Sequence, residues 1–136
     1  MDFAELNWIA ILVSAGSAFA LGGLWYGPLF GKSWQRRVGL SDEALAEANM
    51  ALVFGVSFLL TLVISVGLAV VIPLLFPSPG LISGLLTGIE LAFVFVLTSF
   101  GINYLFARRS MALFGIDVGY LVCMFALMGA ILGAWS

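Results

Sequence analysis

Apolar residues fall in four long runs separated by short polar or glycine- and proline-bearing breaks. The first covers about residues 7–29 and is closed by "GPLFGK", where Pro28 and two glycines punctuate a helix end. The second covers about 50–76, with Pro73 in its last turn, and "FPSPG" at 76–80 follows as a tight, charge-free turn that fits only a helical hairpin. The third covers about 81–106, "ARRS" makes the next turn, and the fourth covers about 111–135. Each run exceeds the roughly 18 apolar residues that mark a membrane-spanning helix. The pattern predicts an all-α integral membrane bundle of four antiparallel transmembrane helices, a single domain over 1–136. Residues 32–49 hold most of the charge and read as an amphipathic segment outside the bilayer, with Ser41 as a helix N-cap ahead of Asp42 and Glu43.

Composition supports that class. Of 136 residues, 63% are hydrophobic and 9% charged, too little polar cover for a soluble domain. The first run is preceded by Asp2 and Glu5 and by no basic residue, the wrong flank for a secretory signal, so a retained helix is expected. All five Lys and Arg lie in two places: Lys32, Arg36 and Arg37 after the first run, Arg108 and Arg109 after the third. Four spans put both places on one side, and the positive-inside rule makes that side cytoplasmic and both termini external. Trp25, Tyr26, Trp34, Tyr104 and Tyr120 cluster near that boundary, with Trp8 and Trp135 near the other, as aromatic belts require. The expected location is a bacterial inner membrane, with the lipid bilayer as the principal partner.

Small residues at four-residue spacing predict where helices touch. They are Ser14, Ala18 and Gly22 in the first span; Ser57, Thr61 and Ser65 in the second; Gly115, Gly119, Gly129 and Gly133 in the fourth. These stripes exceed what a lone bundle needs, so a homo-oligomer is expected.

Catalytic signals are sparse. Histidine is absent, Cys123 is the single cysteine, and no Gly-rich phosphate loop, Ser-His-Asp set or nucleic-acid-type basic patch occurs. No cofactor, metal or nucleic-acid partner is expected, and no enzymatic constellation is visible. Cys123 reads as a small packing residue, and Asn7 and Asn103 as boundary hydrogen-bonders.

The sharpest lead is Glu90, inside "LLTGIELAFVFVLTSFG". On an unbroken helix it shares a narrow stripe with Ser83, Thr87 and Thr98, which should face protein or a cavity. An ionised carboxylate at that depth costs roughly 2.5–3.5 kcal/mol on insertion scales, and no basic residue lies in the spans to pair it. Protonation is the cheap solution. The leading functional expectation is a small oligomeric transporter or channel-like protein for a proton, cation or small solute, with Glu90, Thr87, Ser83 and Thr98 as its ion or proton site. The alternative is a non-catalytic scaffold or lipid-interacting protein in which Glu90 is an interhelical hydrogen-bonder. Asp117, early in the fourth run, is expected to form an interfacial salt bridge with the basic residues of the same side: Arg108, Arg109, Lys32, Arg36 or Arg37.

"NWIAILVSA", "LWYGPLFGKSW", "INYLFARRS" and "GYLVCMFALMGAIL" together resemble a bacterial membrane family known as domain of unknown function 1761. The residues that carry the resemblance are Trp25, Tyr26, Pro28, Gly31, Lys32, Trp34, Asn103, Tyr104, Phe106, Gly119, Tyr120 and Gly129. It implies a four-span layout and supplies no activity.

The charge distribution generates a topology prediction. A reporter fused after Trp135 is expected outside the cytoplasm and one inserted near Glu43 inside it. Opposite or mixed readings would overturn the orientation.

Overall fold

Most of the long helices start where a polar side chain takes an N–H that the helix itself leaves unpaired. The computed structural model describes residues 3–135, so Asp2 lies outside the described residues. Helix α1 (Trp8–Leu24) is capped by Asn7, whose Oδ1 accepts from Ala10 N–H at 3.1 Å. A π turn, Trp25–Leu29, extends it, and α2 (Gly31–Val38) ends at Gly39 in the left-handed region. Ser41 caps α3 (Asp42–Glu47), as the sequence predicts, and Asn49 caps α4 (Met50–Leu75). Helix α5 (Leu81–Leu91) opens with Ser83 Oγ accepting from Gly80 N–H at 2.7 Å. A second π segment, Ala92–Leu97, joins α5 to α6 (Thr98–Ala107), and α7 (Met111–Ala134) is capped by Ser110.

Four of these helical stretches are long and apolar enough to cross a membrane: Trp8–Leu29, Met50–Leu75, Leu81–Ala107 and Met111–Ala134. No strand occurs among the described residues. Outward-facing side chains such as Leu60 and Val63 on α4 and Phe95 and Leu105 on the third span are largely exposed and apolar, the reverse of a water-soluble surface. The protein is a multi-pass membrane protein with an all-helical fold.

Helix α7 is the hub, packing on α1, α4 and α5. Ile11, Leu68, Ile72, Met124, Met128 and Leu132 fill the space between α1, α4 and α7. Ser14 and Ser65 meet there in a fully buried hydrogen bond, and Ser65 Oγ also donates to the Ile11 carbonyl at 3.0 Å. With lipid tails as apolar as leucine, such contacts and close backbone approach hold spans together.

The closest approach joins α5 to α7. A Cβ placed on Gly84 would run into the Gly129 carbonyl and lie 2.9 Å from Gly133 Cα. One on Gly88 would strike the Phe125 carbonyl, and one on Gly133 the Gly80 carbonyl. Gly80, Gly84 and Gly88 therefore meet Gly133, Gly129 and Phe125 in reversed chain order, backbone on backbone.

This corrects one inference from the small-residue stripes. Gly129 and Gly133 are used inside the protomer, as are Ser14, Ala18, Thr61 and Ser65, which are all buried. Ser57 is half-buried, and its carbonyl accepts from the Thr61 hydroxyl. Gly22 and Gly119 make room for aromatic rings of the same chain. Of the predicted packing glycines, Gly115 alone meets open space. The surplus of stripes from which an oligomer was expected is thus absorbed by internal contacts.

Gly84→Leu and Gly129→Leu are expected to destabilise the fold by at least about 1–3 kcal/mol, because neither neighbouring backbone can yield without separating α5 from α7. Gly115→Ala should hold level or gain up to about 1 kcal/mol from helix propensity. Heat or denaturant unfolding in micelles checks both, and equal effects at Gly84 and Gly115 would remove the backbone contact from its central place.

Candidate functional site

Two features gather polar chemistry, at different depths. The first lies at the end of the bundle that carries the basic residues. Pro28 has no N–H to donate, and the helix there widens into a π turn in which Phe30 N–H reaches the Trp25 carbonyl at 2.8 Å. Gly31 is obligatory at its exit, since a Cβ would meet the Tyr26 carbonyl. The turn directs Trp25 and Tyr26 at α7. Trp25 Nε1 donates to the Ile116 carbonyl at 2.9 Å, with its ring seated over Gly119, where a Cβ would lie 3.0 Å away. Tyr120 fills the space above Gly22, and its hydroxyl donates to the Ala18 carbonyl at 2.9 Å.

Asp117 is the centre of this cluster. Tyr26 Oη donates to its Oδ1 at 2.8 Å, and Tyr104 Oη donates to its Oδ2. One half-buried carboxyl on α7 thereby ties the first and third spans to the fourth. Rings close around it: Tyr26 on Tyr120 and Trp34 edge-on at 5.4 and 5.7 Å, Tyr104 on Phe114 at 5.8 Å.

The expected salt bridge is replaced by these phenols. Arg109 lies over the Tyr104 ring at 5.7 Å, so it touches the group that holds Asp117 and not the carboxylate. Arg108 terminates α6 in the left-handed region, and Lys32, Arg36 and Arg37 are exposed on α2, where Arg37 Nε donates to Ser33 Oγ at 3.2 Å. The spacing of charges along the chain showed that basic residues share an end with Asp117. It did not show that the aromatic belt residues reach the carboxyl first.

The second feature is Glu90, the tenth residue of the 27-residue span Leu81–Ala107, about 6 Å from its midpoint. It is exposed on the outside of the bundle, among exposed Leu86, Phe93 and Val94, and forms no hydrogen bond or ion pair with a described residue. The stripe drawn on an unbroken helix separates in three dimensions. Thr87 is buried against α7 with its hydroxyl on the Ser83 carbonyl at 2.8 Å. Ser83 caps α5. Thr98 is exposed, and its hydroxyl bonds the Val94 carbonyl, while Ser99 bonds that of Phe95. Both hydroxyls satisfy carbonyls of the π segment, which a lipid-exposed helix cannot leave bare.

Two physical reasons explain the difference. Gly84 and Gly88 select which face of α5 turns inward, because only they allow backbone contact with α7. The π segment then shifts the phase of everything beyond Ala92. Gly84 and Gly88 were legible as a four-residue repeat with Gly80, although the sequence reading did not single them out. Neither of two surface cavities, about 320 Å³ beside Tyr104 and about 250 Å³ beside Asn7 and Trp135, includes Glu90. Cys123 is exposed, and no cluster of three or more potential metal ligands exists among the described residues.

The family described as a protein of unknown function, DUF1761, matches residues 9–133. No curated protein and no solved structure matches.

Tyr26→Phe is expected to weaken the bundle by about 0.6–2 kcal/mol, the range for polar contacts between membrane helices and to charged groups. In an Asp117→Ala background the same change should cost close to nothing, a coupling that a double-mutant cycle of unfolding in micelles reads directly. Equal costs in both backgrounds would show that the Tyr26 hydroxyl does not act through Asp117.

Proposed function

The chain belongs to this family of unknown function, and on that premise we propose that it works as a homo-oligomer that moves a proton, a cation or a small solute across the bilayer, with Glu90 as the ionisable centre at the contact between copies. The observation that carries the reading is a carboxyl near the middle of its span, exposed among apolar side chains and lacking any partner among the described residues. Intramembrane ionisable groups are costly, and they mark ion and proton pathways or contacts.

Geometry narrows how such a site would form. Inside the protomer at this depth, α5 and α7 touch backbone to backbone on the face away from Glu90, and neither of the two cavities described above reaches it. Copies inserted in the same orientation are related by an axis along the membrane normal, so equal residues meet at equal depth. In a two-fold dimer whose axis passes beside this face, Glu90 of one copy faces Glu90 of the other. Two carboxylates so placed repel each other, and a proton or a cation between them relieves that repulsion. Water reaching the pair from one side makes that proton exchangeable or lets a cation replace it. Thr98 is exposed, as Glu90 is, while Thr87 is buried and Ser83 half-buried. The same reading puts the chain in a bacterial inner membrane with its basic end in the cytoplasm, on the Lys and Arg distribution.

A scaffold or lipid-interacting role is the second reading. It is favoured by the hydroxyls of Ser83, Thr87 and Thr98, all engaged by their own helix and none turned to Glu90.

Proteoliposomes with an internal pH or cation indicator separate the two. Under the transport reading, Glu90→Gln assembles normally and abolishes flux. Under the scaffold reading, Glu90→Gln changes nothing and Glu90→Leu weakens assembly by about 0.6–2 kcal/mol. In a Cys123→Ser background, Leu86→Cys and Phe93→Cys should form disulfides between copies in native membranes. Failure of both would refute the contact at Glu90.

A further inference from the structure

The third and fourth spans, locked together through Gly84, Gly88 and Gly129, part toward the basic end. The separation begins beyond the π segment Ala92–Leu97, and it leaves a cavity of about 320 Å³ between α6 and α7. Its floor is Gly101, where an added Cβ would sit in ordinary contact with the Phe114 ring at 3.9 Å. Leu105 and Met111 form walls that continue onto the outer surface, 73% and 68% exposed. The rim is Arg108 and Arg109.

The two arginines are unusual in their setting. Arg108 is the one non-glycine residue with positive φ among those described, 57°, at the position after a helix where glycine is usual. A left-handed cap on a side chain with a Cβ carries a conformational cost, so its occupation by Arg points to a use for the side chain. Neither guanidinium is in an ion pair with a described acidic residue. Arg109 rests on the Tyr104 ring at 5.7 Å, and Asp117 is occupied by Tyr26 and Tyr104. Two planar cations without an ion pair among the described residues thus stand beside an apolar groove at the end of the third span.

We propose that this groove binds an anionic phospholipid, its phosphate on Arg108 and Arg109 and the upper part of an acyl chain along Gly101, Leu105, Met111 and Phe114. Guanidinium groups match phosphate oxygens in geometry as well as charge. The groove opens sideways through Leu105 and Met111, the direction from which a lipid enters, and its size falls in the range of small-ligand sites. A basic pocket between spans at that level is where a lipid headgroup lies. The site is independent of Glu90. Because Arg109 stacks on Tyr104, which holds Asp117, an occupied groove also supports the junction of the first, third and fourth spans.

The test uses the full chain in a neutral detergent, titrated with phosphatidylglycerol, phosphatidylcholine or inorganic phosphate. Retained lipid is read by native mass spectrometry and stability by the melting temperature. Phosphatidylglycerol should bind and raise the melting temperature, while the other two should do neither at matched concentration. Arg108→Ala with Arg109→Ala should weaken phosphatidylglycerol binding at least about tenfold. Replacement of Lys32, Arg36 and Arg37 by Ala, at the same end but outside the groove, should leave it within about twofold. Gly101→Leu keeps both arginines, fills the floor and should also abolish binding, which separates loss of the site from loss of fold. Equal losses from both basic sets would reduce the site to bulk charge and overturn the proposal. Equal binding of phosphatidylcholine, or inorganic phosphate that binds and stabilises alone, would overturn it as well.

Discussion

Backbone contact between α5 and α7 is the constraint on which the rest of the structure depends. In a bilayer there is no hydrophobic force to press one leucine-covered helix onto another, so association needs surfaces that approach closely. Gly80, Gly84 and Gly88 provide such a surface, and Gly129 and Gly133 answer it. That contact decides which side of the third span is hidden. It therefore also decides that Glu90, on the other side, looks outward. The same hub helix carries Asp117 and meets α1 and α4, so its position sets the geometry of both polar features.

The two π segments act as local corrections to straight helices. One lets Pro28 sit at the end of the first span while Trp25 and Tyr26 turn onto α7. The other changes the phase of the third span, with Thr98 and Ser99 engaging the carbonyls of Val94 and Phe95. It also marks where the third and fourth spans begin to diverge. A groove opens there with two arginines at its mouth. Departures from α-helical geometry in this chain therefore lie beside its aromatic cluster and beside the cavity between α6 and α7, and a hydroxyl or a glycine accommodates each of them.

Asp117 and Glu90 illustrate opposite solutions to the same electrostatic problem. Asp117, near an interface, is held by two phenols from two other spans and becomes a structural junction. Glu90, near the middle of its span, has no such partner among the described residues. A lone carboxyl facing lipid is expensive, whereas one facing a second copy is not, and this contrast is what turns the functional reading toward an oligomer. The earlier support for an oligomer, a surplus of small-residue stripes, has a different explanation, since those stripes are consumed in building the protomer.

By itself the sequence determined the helical class, the four apolar segments, the breaks at Pro28 and at "FPSPG", the N-cap at Ser41 and the gathering of charge and aromatics at one end. These are local properties: hydropathy over a window, a side chain within reach of the next turn, a proline with no N–H. Only the tertiary structure decided the partner of Asp117, the separation of Thr87 from Glu90 and the outward face of Glu90. Each depends on which face of one helix meets which face of another. A helical wheel drawn on an unbroken third span cannot supply that. Glycines at four-residue spacing outweighed the polar stripe in choosing the buried face, because a missing Cβ permits backbone contact that a threonine hydroxyl does not. The π segment then shifted the phase of every position after it.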